Sequence, residues 1–104
     1  MRESAIESIA AALFKALGDG FYKFVSPARR SVPDRLRLRQ VPPEHRALVG
    51  RYVHFIEFKA PGDKPTAAQV REHERLRALG YRVDVIDSVA GAQALAAEHQ
   101  EQRA

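Results

Sequence analysis

The chain has 104 residues, 45% hydrophobic and 29% charged, with a net charge of +4, which fits one soluble domain, residues 1–104, with an acidic partner such as nucleic acid. It has no cysteine, which excludes disulfides and thiolate zinc centres, and its four histidines, at 45, 54, 73 and 99, do not form a zinc-ligand spacing. No apolar run reaches the length of a membrane span, and Glu3 and Glu7 interrupt any signal-peptide pattern, so the expected compartment is the cytoplasm with no membrane contact.

In chain order, residues 4–17 are predicted to form a helix. Ile6, Ile9, Ala10, Leu13, Phe14 and Leu17 recur at helical spacing, Ser4 can cap the start, and Gly18 to Gly20 stop it. The Leu13, Phe14 and Leu17 stripe is expected in the core. Phe21 to Val25 is short and aromatic, a strand. Ser26 to Pro33 is a loop carrying Arg29 and Arg30. Leu36 and Leu38 alternate with Arg35, Arg37 and Arg39, the pattern of a half-buried strand. Gln40 to Gly50 is a connection, in which Pro43 could open a short helical turn. Its Val41, Leu48 and Val49 are apolar residues that the core need not absorb. Tyr52 to Lys59 is the clearest strand.

Pro61 and Gly62 mark a turn. Thr66 to Leu79 is a second helix, capped by Thr66 and ended at Gly80. Tyr81 to Ile86 is a strand, and Ser88 can cap a third, alanine-rich helix reaching Gln102. The predicted order is αβββαβα, an α/β domain with a small mixed sheet flanked by helices. The strands at 52–59 and 81–86, separated by a helix, are expected to run parallel.

Strand alternation places Val53, Phe55, Glu57 and Lys59 on one face. If the first two face the core, Glu57 and Lys59 sit where that face leaves it, at the rim of a low-dielectric wall. Asp34, behind Pro33 at the start of the preceding strand, is the natural second carboxylate. Two carboxylates suit a hard cation such as Mg²⁺, which takes few protein oxygens and keeps waters and phosphates. Lys59 would then offset charge building on phosphoryl oxygens.

"SVPDRLRL" followed by "HFIEFKAPGDKPTAAQ" and "LRALGYRVDVIDS" resembles the PD-(D/E)xK nuclease superfamily, and more closely the virus-type replication-repair nuclease (VRR-NUC) domain, over nearly the whole chain. The resemblance implies a restriction-endonuclease-like fold and Mg²⁺- or Mn²⁺-dependent cleavage of DNA. It matches Asp34 and Glu57 to metal carboxylates, Lys59 to the catalytic lysine, and Gln69 to the glutamine opening the next helix. Glu7 is the best match to a first-helix glutamate near the metal, a candidate third ligand. Small stand-alone members, mostly from phages, resemble Holliday-junction resolvases and form homodimers, which implies branched DNA as substrate and, for a phage gene, the host cytoplasm. The family often has glycine where this chain has Ser31; if that glycine serves a positive φ, serine is strained there.

Other roles compete at several positions. Glu57 and Lys59 also fit surface charges on an edge strand. Ser4-Ala-Ile-Glu7 and Thr66-Ala-Ala-Gln69 both fit capping boxes. His73, one turn after Gln69 on the same face, fits a general base or, more commonly, a partly buried helix histidine. Lys23, Arg29, Arg30 and Arg35 are candidate DNA-backbone contacts. A flap or single-strand-junction nuclease keeps the same chemistry, and a non-catalytic basic nucleic-acid-binding module is the alternative from another class.

Overall fold

The apolar spacing and turn chemistry resolve into eight elements in the computed structural model, which describes residues 1–25 and 30–102. They are α1 (Glu3–Ala16), β1 (Gly20–Lys23), β2 (Arg35–Leu38), α2 (Pro43–Tyr52), β3 (His54–Phe58), α3 (Ala67–Leu79), β4 (Arg82–Ile86) and α4 (Val89–Gln102). The order is therefore αββαβαβα rather than αβββαβα. The added helix is α2, where a single turn was expected. The described strands form two two-stranded sheets, β1–β2 and β3–β4, instead of one mixed sheet. The chain divides into two units, Met1–Gln40 and Val41–Ala104. Among the described residues no helix is long and apolar enough to cross a membrane.

In the first unit, β1 and β2 pair antiparallel, with Lys23 opposite Arg35 and Phe21 opposite Arg37. The ladder continues one step further, Phe24 donating to the Asp34 carbonyl at 2.9 Å. The face carrying Phe21, Arg35 and Arg37 meets α1. Phe14 packs edge-on to Phe21 with ring centroids 5.3 Å apart, and the Arg37 guanidinium lies 4.2 Å from the Phe14 centroid. Arg37 Nε also donates to the buried Asp19 carboxylate at 2.7 Å. Leu38, on the other face, is buried, as the alternation in that strand predicts.

The expected core stripe on α1 holds only for Phe14. Ile6, Ile9, Leu13 and Leu17 are each at least half exposed, and no α1 residue is buried. The reason is helix phase: the half-buried positions are Glu7, Ala10, Ala11 and Phe14, about 100° round from the apolar stripe.

In the second unit, β3 and β4 run parallel as expected, His54 opposite Arg82 through Phe58 opposite Ile86. The connecting α3 buries His73, Leu76 and Leu79, and β4 buries Val83 and Ile86. Each such aliphatic side chain contributes about 1.5–3 kcal/mol by leaving water. The helix is fixed at both ends. Thr66 Oγ1 accepts from Gln69 N and Gln69 Oε1 accepts from Thr66 N, a complete capping box. Gly80 ends it at φ +104°. Val41, assigned no core role above, is buried and donates its N–H to the Leu79 carbonyl at 2.8 Å.

α2 has little apolar patterning of its own. Pro43 starts it, where a missing N–H is harmless, and tertiary bonds hold it. Arg46 Nε donates to the Val41 carbonyl at 3.0 Å, and His54 Nε2 bonds the Gly50 carbonyl at 2.8 Å. On β4, Arg82 bonds Asp84 and, from α4, Glu98. These partners raise the Arg82 guanidinium above its ordinary pKa and lower that of Glu98. Ser88 Oγ accepts from Gly91 N at 3.0 Å, the predicted start of α4.

Candidate active site

From Phe55 onward burial alternates as the sequence predicts, but Val53, expected on the same core face, is exposed because it caps the end of α2 and precedes the strand. Phe55, Glu57 and Lys59 are half-buried, while Ile56 and Phe58 are exposed. Phe55 packs edge-on to Tyr81, centroids 5.9 Å apart. Its register partner Val83 is buried, whereas Val85, opposite Glu57, is 40% exposed. The face therefore leaves the core between Phe55 and Lys59. Lys59 lies one residue past β3, but its N–H still donates to the Ile86 carbonyl at 3.0 Å, so it keeps strand geometry. Its ammonium has no ion pair among the described residues.

Glu57 opens onto a cavity of about 230 Å³ lined by β3, α3 and Val83, with Gln69, Glu72 and His73 among its walls. Gln69 thus combines the capping role with a place at this cavity. His73 Nε2 stands 3.2 Å from Glu57 Oε1. Glu72 has its Oε1 buried without a partner among the described residues, while its other oxygen pairs with Arg75. Neither contact was read from the sequence. The signal for His73 was there, since it shares a helix face with Gln69 and Leu76 and points where an inward β3 side chain must end.

The first unit has its own cleft, of about 480 Å³, lined by Glu3, Glu7, Lys23, Asp34 and Arg35 among others. Asp34 is exposed, with no ion pair among the described residues. Glu7 does not cap α1. The helix starts at Glu3 with Arg2 as N-cap and no side-chain cap bond, so Ser4 lies inside the helix and the predicted box is not formed. Glu7 pairs instead with Arg35, whose guanidinium also lies 5.5 Å from the Phe21 centroid. Lys23 and Arg30 are exposed, and Arg29 lies outside the described residues. Ser31 has φ +63°, the left-handed region anticipated for this position.

A phage protein, "Putative nuclease p44" of Acyrthosiphon pisum secondary endosymbiont phage 1, is 48% identical over 88 residues, 85% of this chain and 85% of that protein. The chain belongs to the family of p44. With 88 of its 104 residues matched, only 16 remain outside, so the middle of the chain from Asp34 to Gln69 lies within the shared region. No protein-family model and no solved structure matches the chain.

Within the p44 family member described here, the oxygen donors are of the type a hard cation takes. Asp34 has a carboxylate with no ion pair among the described residues, and Glu57 uses Oε1 toward His73. Among the described residues no three His, Asp or Glu side chains gather tightly enough to hold an ion alone. Mg²⁺ does not demand that, since it binds through one or two carboxylates and completes its shell with water and phosphate. Asp34 lies in the first unit and Glu57 in the second, and each carboxylate offers the oxygen chemistry that such an ion takes.

Proposed function

We propose that this protein is a metal-dependent, structure-selective DNA endonuclease of the restriction-endonuclease-like type, with the VRR-NUC arrangement of residues. The observation that carries the reading is the kinship with a phage protein named as a nuclease, across a region that contains Glu57 and Lys59 at the open end of β3. Asp34 and Glu57 would supply the carboxylates for Mg²⁺ or Mn²⁺, with Glu7 a candidate third ligand. When bound, the ion supplies Lewis-acid stabilisation of the phosphate and an activated water. Lys59 offsets the negative charge that builds on the phosphoryl oxygens. Gln69 sits at the N-terminus of α3, where the free N–H groups favour a phosphate. Lys23, Arg29 and Arg30 hold the DNA backbone without reading bases. Selectivity then comes from the shape of branched DNA.

The same reading makes the protein a homodimer acting in the host cytoplasm. One small domain carries one site and cuts one strand, and a two-fold pair cuts a four-way junction symmetrically. The exposed Ile6, Ile9, Leu13 and Leu17 stripe of α1 offers apolar surface for such a pair. The test is a panel of four-way, forked, flap and linear DNA with Mg²⁺ against EDTA. Cleavage of branched DNA only with metal is expected. Metal-indifferent binding without cleavage would replace the enzyme by a basic binding module.

A further inference from the structure

We infer that His73 is a positioning residue for Glu57, holding one carboxylate oxygen so that the other is presented to the cation; this rests on the metal-dependent reading above. Among the described residues of the second unit His73 is the one buried polar side chain, only 9% exposed. Buried polar groups in folded proteins are almost always bonded, and the partner here is Glu57 Oε1 at 3.2 Å. An ionised carboxylate can only accept, so Nε2 carries the hydrogen and donates it. Oε2 is left with no hydrogen bond among the described residues.

The helix that carries His73 is tied at both ends. The capping box fixes its first turn, Gly80 its last, and Arg77 Nη2 donates to the Val83 carbonyl at 2.9 Å. Leu76, one turn on, is buried beside it. Glu57 by contrast is 28% exposed, on a strand face that is opening to solvent. A flexible acid at such a rim needs an external restraint to keep one rotamer, and a buried imidazole on a helix tied at both ends supplies it. Groups that bond a metal-ligating side chain from behind commonly govern metal affinity by 10–100-fold. The contact identifies His73 as that group, acting through Glu57 and not on the substrate.

The test titrates Mn²⁺ into the full DNA-free chain, following free Mn²⁺ by electron paramagnetic resonance, with cleavage rates measured across Mn²⁺ concentration. His73→Leu keeps the burial and removes the donor. It should weaken Mn²⁺ binding about 10–100-fold, with kcat at saturating Mn²⁺ within about three-fold of the parent. His73→Gln, which keeps an N–H near the Nε2 position, should restore most of the affinity, and His73→Asn should restore less. In a Glu57→Ala background, His73→Leu should change Mn²⁺ binding no further. If His73→Leu unfolds, the order Gln tighter than Asn carries the test. Parental affinity in the folded Leu variant, or in Asn equally with Gln, would make His73 a structural histidine only. Cleavage lost at every Mn²⁺ concentration with binding intact would make it a general base. Either result overturns the inference while leaving the nuclease standing. A parent chain that neither binds Mn²⁺ nor cuts DNA would overturn both.

Discussion

Replacing Gly80 by alanine tests how α3, and with it His73, is held. Gly80 has φ +104°, which L side chains rarely adopt, and a Cβ there would lie 2.9 Å from Val41 Cβ, Val41 O and Arg46 Nε. Two of those three atoms are backbone or branch-point atoms that cannot swing aside. The same backbone carbonyl accepts Arg46 Nε, and the Val41 N–H bonds Leu79, so displacing Val41 loosens both. The strained backbone costs about 1–3 kcal/mol and the overlap about 1–3 more. Taking about 3 kcal/mol in total, Tm should fall by about 12–24 °C for a domain of this size. Gly62→Ala is the control. Gly62 also has positive φ, +83°, but nothing lies within 4 Å of its Cβ position. It should lose only about 1–2 kcal/mol, some 4–16 °C by the same conversion. Thermal melts followed by circular dichroism compare the two. Equal shifts would show that the close approach of Val41 is not what demands glycine at 80.

DNA binding should weaken steeply with salt, and Arg29→Ala with Arg30→Ala should flatten the log–log slope by about 0.9 for each phosphate these arginines neutralise, without changing sequence preference; an unchanged slope would place the DNA elsewhere. Glu98 has its pKa lowered by the hydrogen bond from Arg82, so its contribution to stability is present above the unfolded-state pKa and is lost as pH falls through the lower folded one. Between about pH 3 and 6, the Tm of the parent should fall relative to Glu98→Gln as the medium acidifies, and parallel curves would contradict the Arg82 contact. Sedimentation equilibrium at micromolar concentration should give a dimer; a monomer, still monomeric on junction DNA, would remove the resolvase reading and favour the flap nuclease.

The parts of the fold written in local chemistry were legible. Thr66, Gln69 and Gly80 delimit α3 in the sequence, and the structure uses each as expected. The alternation from Phe55 to Lys59 gave the correct inward face of β3. α2 was not legible because Pro43 to Tyr52 lacks an apolar stripe, and what stabilises it comes from Val41 and His54 outside it. That is also why Tyr52 read as strand: its β propensity was overruled by the helix that ends there, whereas Val53, the C-cap, is extended but lies before the ladder begins. Ser4 and Glu7 matched a capping pattern, but Glu7 found a stronger partner in Arg35, 28 residues away. Such long-range pairing leaves no local mark. The left-handed turn at Ser31 was visible only through the family resemblance, because serine itself does not announce a positive φ.

The measurement that bears most directly on the central claim is the initial rate of four-way-junction cleavage in Mg²⁺ by Asp34→Ala, Glu57→Ala and Lys59→Ala, each checked for folding by its melt. The account expects each variant to melt as the parent does and to lose cleavage, with EDTA abolishing cleavage by the parent. Parental rates in a folded Glu57→Ala or Lys59→Ala chain would contradict it, because the open end of β3 would then not be where the phosphodiester is cut.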